Sequence, residues 1–241
     1  MNVLNSTSIE WTDATWNPVT GCTKVSTGCA HCYAERMAKR LTAMGNPRYA
    51  NGFKVTMHPD LINQPLKKKK ESMVFVCSMS DLFHEDVSDE FIKSVFVTMN
   101  KAHWHTFQVL TKRPDRLNKM SPDLKFSDNI WIGTSIENER FLSRIDLIRD
   151  LPAKVKFLSC EPLLGTLKKM NLTGIDWVVV GGESGPGARS IEIEWVREIR
   201  DLCSNFETKF FFKQWGGWNK KKNGRELDGR IYNEMPECFK K

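Results

Sequence analysis

Short apolar runs recur along the chain, each closing on small or polar residues: Met73 to Val76, Phe107 to Leu110, Ile130 to Ile132, Val155 to Leu158, Trp177 to Val180 and Lys209 to Phe212. They are rich in Val, Ile and Phe and do not alternate with polar positions, which is the pattern of strands buried on both faces. Stretches of helical period lie between them. Ser88 to Asn100 opens on a serine cap and an acidic first turn, then sets Phe91, Val95, Phe96 and Met99 on one face. Glu139 to Arg149 and Ile193 to Cys203 show similar amphipathic spacing and read as crossover helices. Strand-helix repetition with right-handed crossovers predicts an α/β chain, a partial (β/α) barrel of about six or seven parallel strands. A doubly wound open sheet is the alternative.

In either fold the working residues gather where strands end and the next loop begins. Those junctions read Cys77 to Asp81, Thr111 to Pro114, Gly133 to Glu137, Ser159 to Pro162, Gly181 to Gly185 and Lys213 to Gly216. Polar side chains concentrate at all six. Residues 1–215 are read as the barrel. Residues 216–241 are basic, Gly-containing and poor in apolar period, with turn signals at Asn223-Gly224 and Asp228-Gly229. They read as a hairpin or lid, or equally as a surface extension packed on the barrel.

Composition narrows the class. A chain of 241 residues with 40% hydrophobic content can bury one substantial core. Met1 to Glu10 has no basic head followed by an apolar run, and no apolar stretch is long enough to span a bilayer, so a cytoplasmic location is expected. The net charge of +7 favours a phosphate-bearing partner such as nucleic acid. Much of the excess sits in Lys67 to Lys70 and Lys220 to Lys222, and such runs are also common as solvated loops.

Three of the seven cysteines, Cys22, Cys29 and Cys32, fall within eleven positions, spaced Cys-x6-Cys-x2-Cys. An odd count with such crowding fits metal ligation better than a disulfide framework. Soft thiolates select zinc, copper(I) or iron-sulfur clusters, and a four-iron cluster held by three cysteines leaves one iron open to another ligand. The short gap lets Cys29 and Cys32 face one site from a turn entering a helix near Tyr33, and Gly21 and Gly28 let the loop fold Cys22 back. A zinc site completed by His31 or His58 and three unrelated thiols are the other readings.

The cysteine segment resembles the cluster loop of radical-SAM enzymes, with His31 in the place just before the last cysteine and a first gap wider than their usual three residues. The stretches Trp16 to Cys22, Ser78 to Glu85, Val109 to Pro114, Ser159 to Gly165, Val180 to Gly187 and Phe211 to Gly216 are similar to a widespread phage and bacterial protein family treated as radical-SAM-like. That resemblance runs from Trp11 to about Pro236. It implies a 4Fe-4S cluster on Cys22, Cys29 and Cys32, bound S-adenosylmethionine, and reductive cleavage of that cosubstrate to a 5′-deoxyadenosyl radical. It also implies an external electron donor. A nucleic acid or nucleotide is the expected substrate.

Holding the cosubstrate's ribose, ammonium and carboxylate calls for carboxylates and hydroxyls. By position these are Ser80, Asp81, Ser135, Glu137 and Glu161, with helix capping as the competing role. Gly181-Gly182-Glu183 is similar to the Gly-Gly-Glu segment that contacts the methionine amino group in radical-SAM enzymes, although it ends a late strand instead of following the second. Lys112, Arg113 and Lys213 suit a phosphate or carboxylate, or pair structurally. Cys160 and Lys213 are the expected catalytic pair, Cys160 as a thiol hydrogen donor or else a small buried hydrophobe. Trp215 and Trp218 are read as packing, with base stacking as the alternative. Two other functions stay open: a zinc-stabilised nucleic-acid-binding module and a non-catalytic iron-sulfur redox protein.

Overall fold

A computed structural model describes residues 4–7 and 9–237. Its strands are β1 (Asn5–Ser6), β2 (Ala14–Trp16), β3 (Val19–Thr20), β4 (Thr56–Met57), β5 (Met73–Val76), β6 (Thr106–Thr111), β7 (Ile130–Ser135), β8 (Lys156–Cys160), β9 (Trp177–Gly181) and β10 (Lys209–Gln214). Eight of them order as β1-β2-β5-β6-β7-β8-β9-β10 in a mostly parallel sheet, and β3 and β4 form a separate antiparallel pair. The helices are α1 (Tyr33–Ala43), α2 (Gln64–Lys67), α3 (Asp89–Lys101), α4 (Pro114–Met120), α5 (Ser143–Arg149), α6 (Ile193–Asn205) and α7 (Lys220–Asn223). The α/β class expected from periodicity is the class observed.

The chain divides into two compact units. The first comprises Met1–Val25, Cys32–Ile132 and Leu151–Lys154. In it β2, β5 and β6 pair in parallel, and β1 adds an antiparallel edge. Trp16, Val74, Val76, Phe107 and Val109 are buried along these strands, and α3 lays Ile92, Val95, Phe96 and Met99 into the same core. The sequence explains why α3 starts where it does. Ser88 has extended dihedrals and its Oγ accepts from the Phe91 amide at 3.3 Å, while Asp89 and Glu90 face the positive helix end. β5 departs from full burial on both faces: Met73 and Phe75 are only partly covered.

The second unit comprises Ser26–His31, Gly133–Asp150 and Val155–Lys241. Here β8, β9 and β10 pair in parallel, with all five residues of β9 buried. Val196 and Ile199 of α6 are buried with Phe210 and Phe212 of β10. The stretch expected as one helix over Glu139 to Arg149 is a single 3-10 turn (Glu139–Phe141) followed by α5. Asn138 caps that turn by accepting from the Arg140 amide at 3.0 Å, so the chain winds tightly before it relaxes into α-helix.

From Gly216 on, both expected turns form. Gly224, Asp228 and Gly229 have positive φ, and Leu227 and Arg230 bridge across the second turn. Within the second unit this segment packs on β9 and β10: the Phe212 amide donates to Tyr232 O at 3.1 Å and Trp177 Nε1 to Glu234 O at 2.8 Å. Asp228 is gripped by Arg197 and Arg200 of α6. The last four residues of the expected lid, 238–241, and residues 1–3 and 8 of the N-terminal stretch lie outside the described residues. No helix among the described residues is long and apolar enough to cross a membrane.

Candidate functional site

In the first unit the loop that begins after β3 is held by backbone geometry that only glycine permits. Gly21 has φ of +82°, and a Cβ there would meet Lys54 O at 2.2 Å. Its amide donates to Met79 O at 3.0 Å, and the Cys22 amide donates to Phe53 O at 3.2 Å. Ser80, expected near the cosubstrate, donates its hydroxyl to Gly21 O at 2.5 Å. Cys22 is left at the rim of an open cleft of about 690 Å³ that Phe53, Lys54 and Asp86 also line. Cys32 caps α1 and packs on a small cluster of Ala34, Ala38, Tyr49 and Met79.

The β5 and β6 ends supply the support for that loop. Asp81 is buried and accepts from Thr111 Oγ1 at 2.7 Å, the Lys112 amide at 2.9 Å and the Phe83 amide at 3.0 Å. An ion pair is added: Arg113 Nη1 lies 3.5 Å from Asp81 Oδ2. Burial works against the Arg113 charge, but Asp81, Cys22 and Glu85 outweigh that and raise its pKa. His84 is fully buried, takes the Asp86 amide on Nδ1 at 3.1 Å and lies with Nε2 2.7 Å from Thr23 Oγ1. Its burial lowers its pKa, so it sits as the neutral ring with the proton on Nε2. His58, a possible zinc ligand, is buried beside Thr20 at 2.9 Å.

The second unit carries the remaining carboxylates. Glu137 is buried, pairs with Arg144 at 3.1 Å and accepts from Ser26 Oγ at 2.5 Å; Ser26 in turn lies 3.5 Å from Cys29 Sγ. Ser135 uses its carbonyl to accept from Arg144 at 2.8 Å. Glu183 is clasped by Arg189 through two side-chain contacts and the Arg189 amide, and His31 Nδ1 is 2.9 Å away. Burial opposes its charge, yet the Arg189 hydrogen bonds override that and hold its pKa at about 2. Gly182 is glycine because a Cβ would meet Trp215 O at 2.0 Å. Arg189, Arg144 and His84 were not singled out from sequence. Of these, only His84 lay inside a quoted motif.

Glu161 differs from Asp81, Glu137 and Glu183. Lys213 Nζ lies 3.3 Å and Ser159 Oγ 3.5 Å from its Oε2, while its Oε1 is buried and has no hydrogen-bond partner. That oxygen points at Gly181, where a Cβ would stand only 2.5 Å away. A buried carboxylate oxygen without a donor is expensive, so a ligand hydroxyl or ammonium would be favoured there.

The thiols also fall into two kinds. Cys77, Cys160 and Cys203 are buried and burial pushes each pKa up, which keeps them protonated and unreactive toward metal. Cys22, Cys29 and Cys32 lie outside any disulfide and are partly exposed. Among the described residues no three Cys, His, Asp or Glu side chains converge on one point that could hold a single ion. A cubane does not require that, because each thiolate ligates a different iron. Soft thiols of this kind are the donor chemistry that such a cluster takes.

The family model for DUF5131, described as a protein of unknown function, matches residues 6–236. This chain belongs to the DUF5131 family. No curated protein matches it significantly in sequence. Among solved structures, this DUF5131 chain is similar to spore photoproduct lyase complexed with dinucleoside spore photoproduct, at 14% identity and TM-score 0.51, over 83% of this chain and 63% of the lyase. A doubly substituted form of that lyase with bound AdoMet and dinucleoside spore photoproduct gives 13% identity and TM-score 0.52, over 84% and 64%. A singly substituted form with the dinucleoside gives 12% and 0.53, over 84% and 63%. The DUF5131 chain thus spans somewhat under two thirds of the lyase. At these identities the likeness shows the fold, an α/β partial barrel.

Proposed function

We propose that this chain is a radical-SAM enzyme that acts on a nucleic acid or nucleotide. The observation that carries the reading is the contrast among the described thiols: Cys22, Cys29 and Cys32 are partly exposed and close in sequence, while Cys77, Cys160 and Cys203 are buried and protonated. The fold supports it, since spore photoproduct lyase is a radical-SAM enzyme and one of its structures holds AdoMet. The net charge of +7 and the dinucleoside in those structures support the substrate class.

Cys22, Cys29 and Cys32 would hold the 4Fe-4S cluster. The chemistry such a cluster would supply is one-electron reduction of the sulfonium of S-adenosylmethionine, giving methionine and a 5′-deoxyadenosyl radical. The chain's own residues bind and orient. Glu161 presents its unpartnered oxygen to a hydroxyl or ammonium, and Lys213 holds the other oxygen in place. Glu183 stays ionised across the physiological range, as an acceptor for the methionine ammonium must. Cys160, fully buried and kept as the thiol, is suited to donate a hydrogen atom to a substrate radical, a role an ionised thiolate could not fill. Electrons come from an external donor.

The test is anaerobic reconstitution with iron and sulfide, reduction, and addition of S-adenosylmethionine, with 5′-deoxyadenosine as readout. The wild type is expected to form it, and Cys22→Ala, Cys29→Ala and Cys32→Ala to form none. A brown wild type that neither binds nor cleaves the cosubstrate would overturn the enzyme reading.

A further inference from the structure

Arg113 is almost fully buried and divides its donors between the cysteine loop and the acidic residues Asp81 and Glu85. Nη1 lies 3.5 Å from Cys22 Sγ and 3.5 Å from Asp81 Oδ2. Nη2 donates to Thr23 Oγ1 at 2.8 Å and to Thr23 O at 3.3 Å, and Nε reaches Glu85 Oε2 at 3.3 Å. The fork is itself fixed: the Arg113 amide donates to Thr111 Oγ1 at 2.9 Å, and that hydroxyl donates to Asp81 Oδ1 at 2.7 Å. The Thr23 hydroxyl also receives Nε2–H of the buried His84.

From this geometry we infer that Arg113 is the positioning residue of the cluster loop and sets the electrostatic field at the sulfur of Cys22. The inference rests on the proposed cluster. A guanidinium is planar, always charged and rigid in its donor geometry, so it fixes Thr23 in place and lays positive charge against the adjacent sulfur. Charge and hydrogen bonds at ligand sulfurs are among the factors that set a cluster's reduction potential, and groups that orient ligands govern how well metal is retained. Among the described residues, the acidic Asp81, Glu85 and Asp86 also face this point, and Lys54 lines the same cleft as Cys22. Without Arg113 the buried Asp81 carboxylate would stand uncompensated near Cys22, and adding an electron to the cluster would be harder.

The experiment compares reconstituted wild type, Arg113→Gln, Arg113→Lys and Arg116→Gln by redox titration and by iron release to a chelator. Arg116 grips the carbonyls of His84 and Val87 and the Asp89 carboxylate, so its loss weakens the same region without touching the sulfur. Arg113→Gln is expected to shift the one-electron equilibrium about tenfold toward the oxidised cluster, ~59 mV more negative. Arg113→Lys keeps the charge and loses the fork, so it should hold the wild-type potential and release iron several-fold faster. Arg116→Gln should leave the potential unchanged. Wild-type potential in Arg113→Gln, or an equal shift in Arg116→Gln, overturns the inference while the cluster reading stands. Should Arg113→Gln not fold, wild-type iron release in Arg113→Lys overturns it. A wild type that takes up no iron defeats the cluster reading itself.

Discussion

Two polar groups, one in each compact unit, make a useful contrast. Around Asp81 and Arg113, donors and acceptors are matched: Asp81 accepts from Thr111, Lys112, Phe83 and Arg113, and Arg113 spends its donors on Thr23, Glu85, Asp81 and Cys22. Around Glu161 and Lys213 the matching is incomplete, with one buried carboxylate oxygen unpartnered beside Gly181. A fully satisfied buried network rigidifies what it touches, whereas a partly satisfied one gains from a ligand. The first group reads as scaffold for the cysteine loop and the second as receptor.

The largest break in that contrast should come from the scaffold. Asp81→Ala removes a buried carboxylate that Arg113, the Thr111 hydroxyl and two backbone amides share, and is expected to lower stability by about 3 kcal/mol in urea unfolding. A loss under about 0.5 kcal/mol would mean that the network is not a scaffold. The next effect is pH-dependent. Glu183 has a folded pKa near 2, below its ordinary value of 4.5, so its contribution is complete above about pH 5. It is lost as pH falls from about 4.5 toward 2, on the order of 2 kcal/mol, and Glu183→Gln should flatten that slope. The smallest stability effect belongs to the receptor. Glu161→Gln removes a half-buried ion pair and should change stability by under about 1 kcal/mol, yet weaken S-adenosylmethionine binding roughly tenfold by calorimetry. A large stability loss with unchanged binding would reverse the roles assigned to the two groups.

What sequence made legible follows the same division. β5, β6, β7, β9 and β10 were readable because each is a continuous apolar run, and α3 because cap and face agree. β1 to β4 have only two or three residues, too few for any period to show, so the antiparallel edge and the small pair went unread. The cysteine spacing was visible because it is local. The Arg113 fork on Thr23 and Cys22 was not, since it joins residues about ninety positions apart that only pairing of β2, β5 and β6 brings together. Arg189 went unread because it lies in a Gly- and Pro-containing loop with no periodic signal, although it decides the state of Glu183. Asp81 and Arg113 were picked out by their place at strand ends, and position alone could not divide a supporting role from ligand contact.

The central claim is tested most directly by counting iron and acid-labile sulfide in anaerobically reconstituted protein, beside a chain with Cys22, Cys29 and Cys32 all changed to Ala. The account predicts about four of each per wild-type chain and none bound to the variant. One zinc per chain with no sulfide, or equal iron in both proteins, would contradict it.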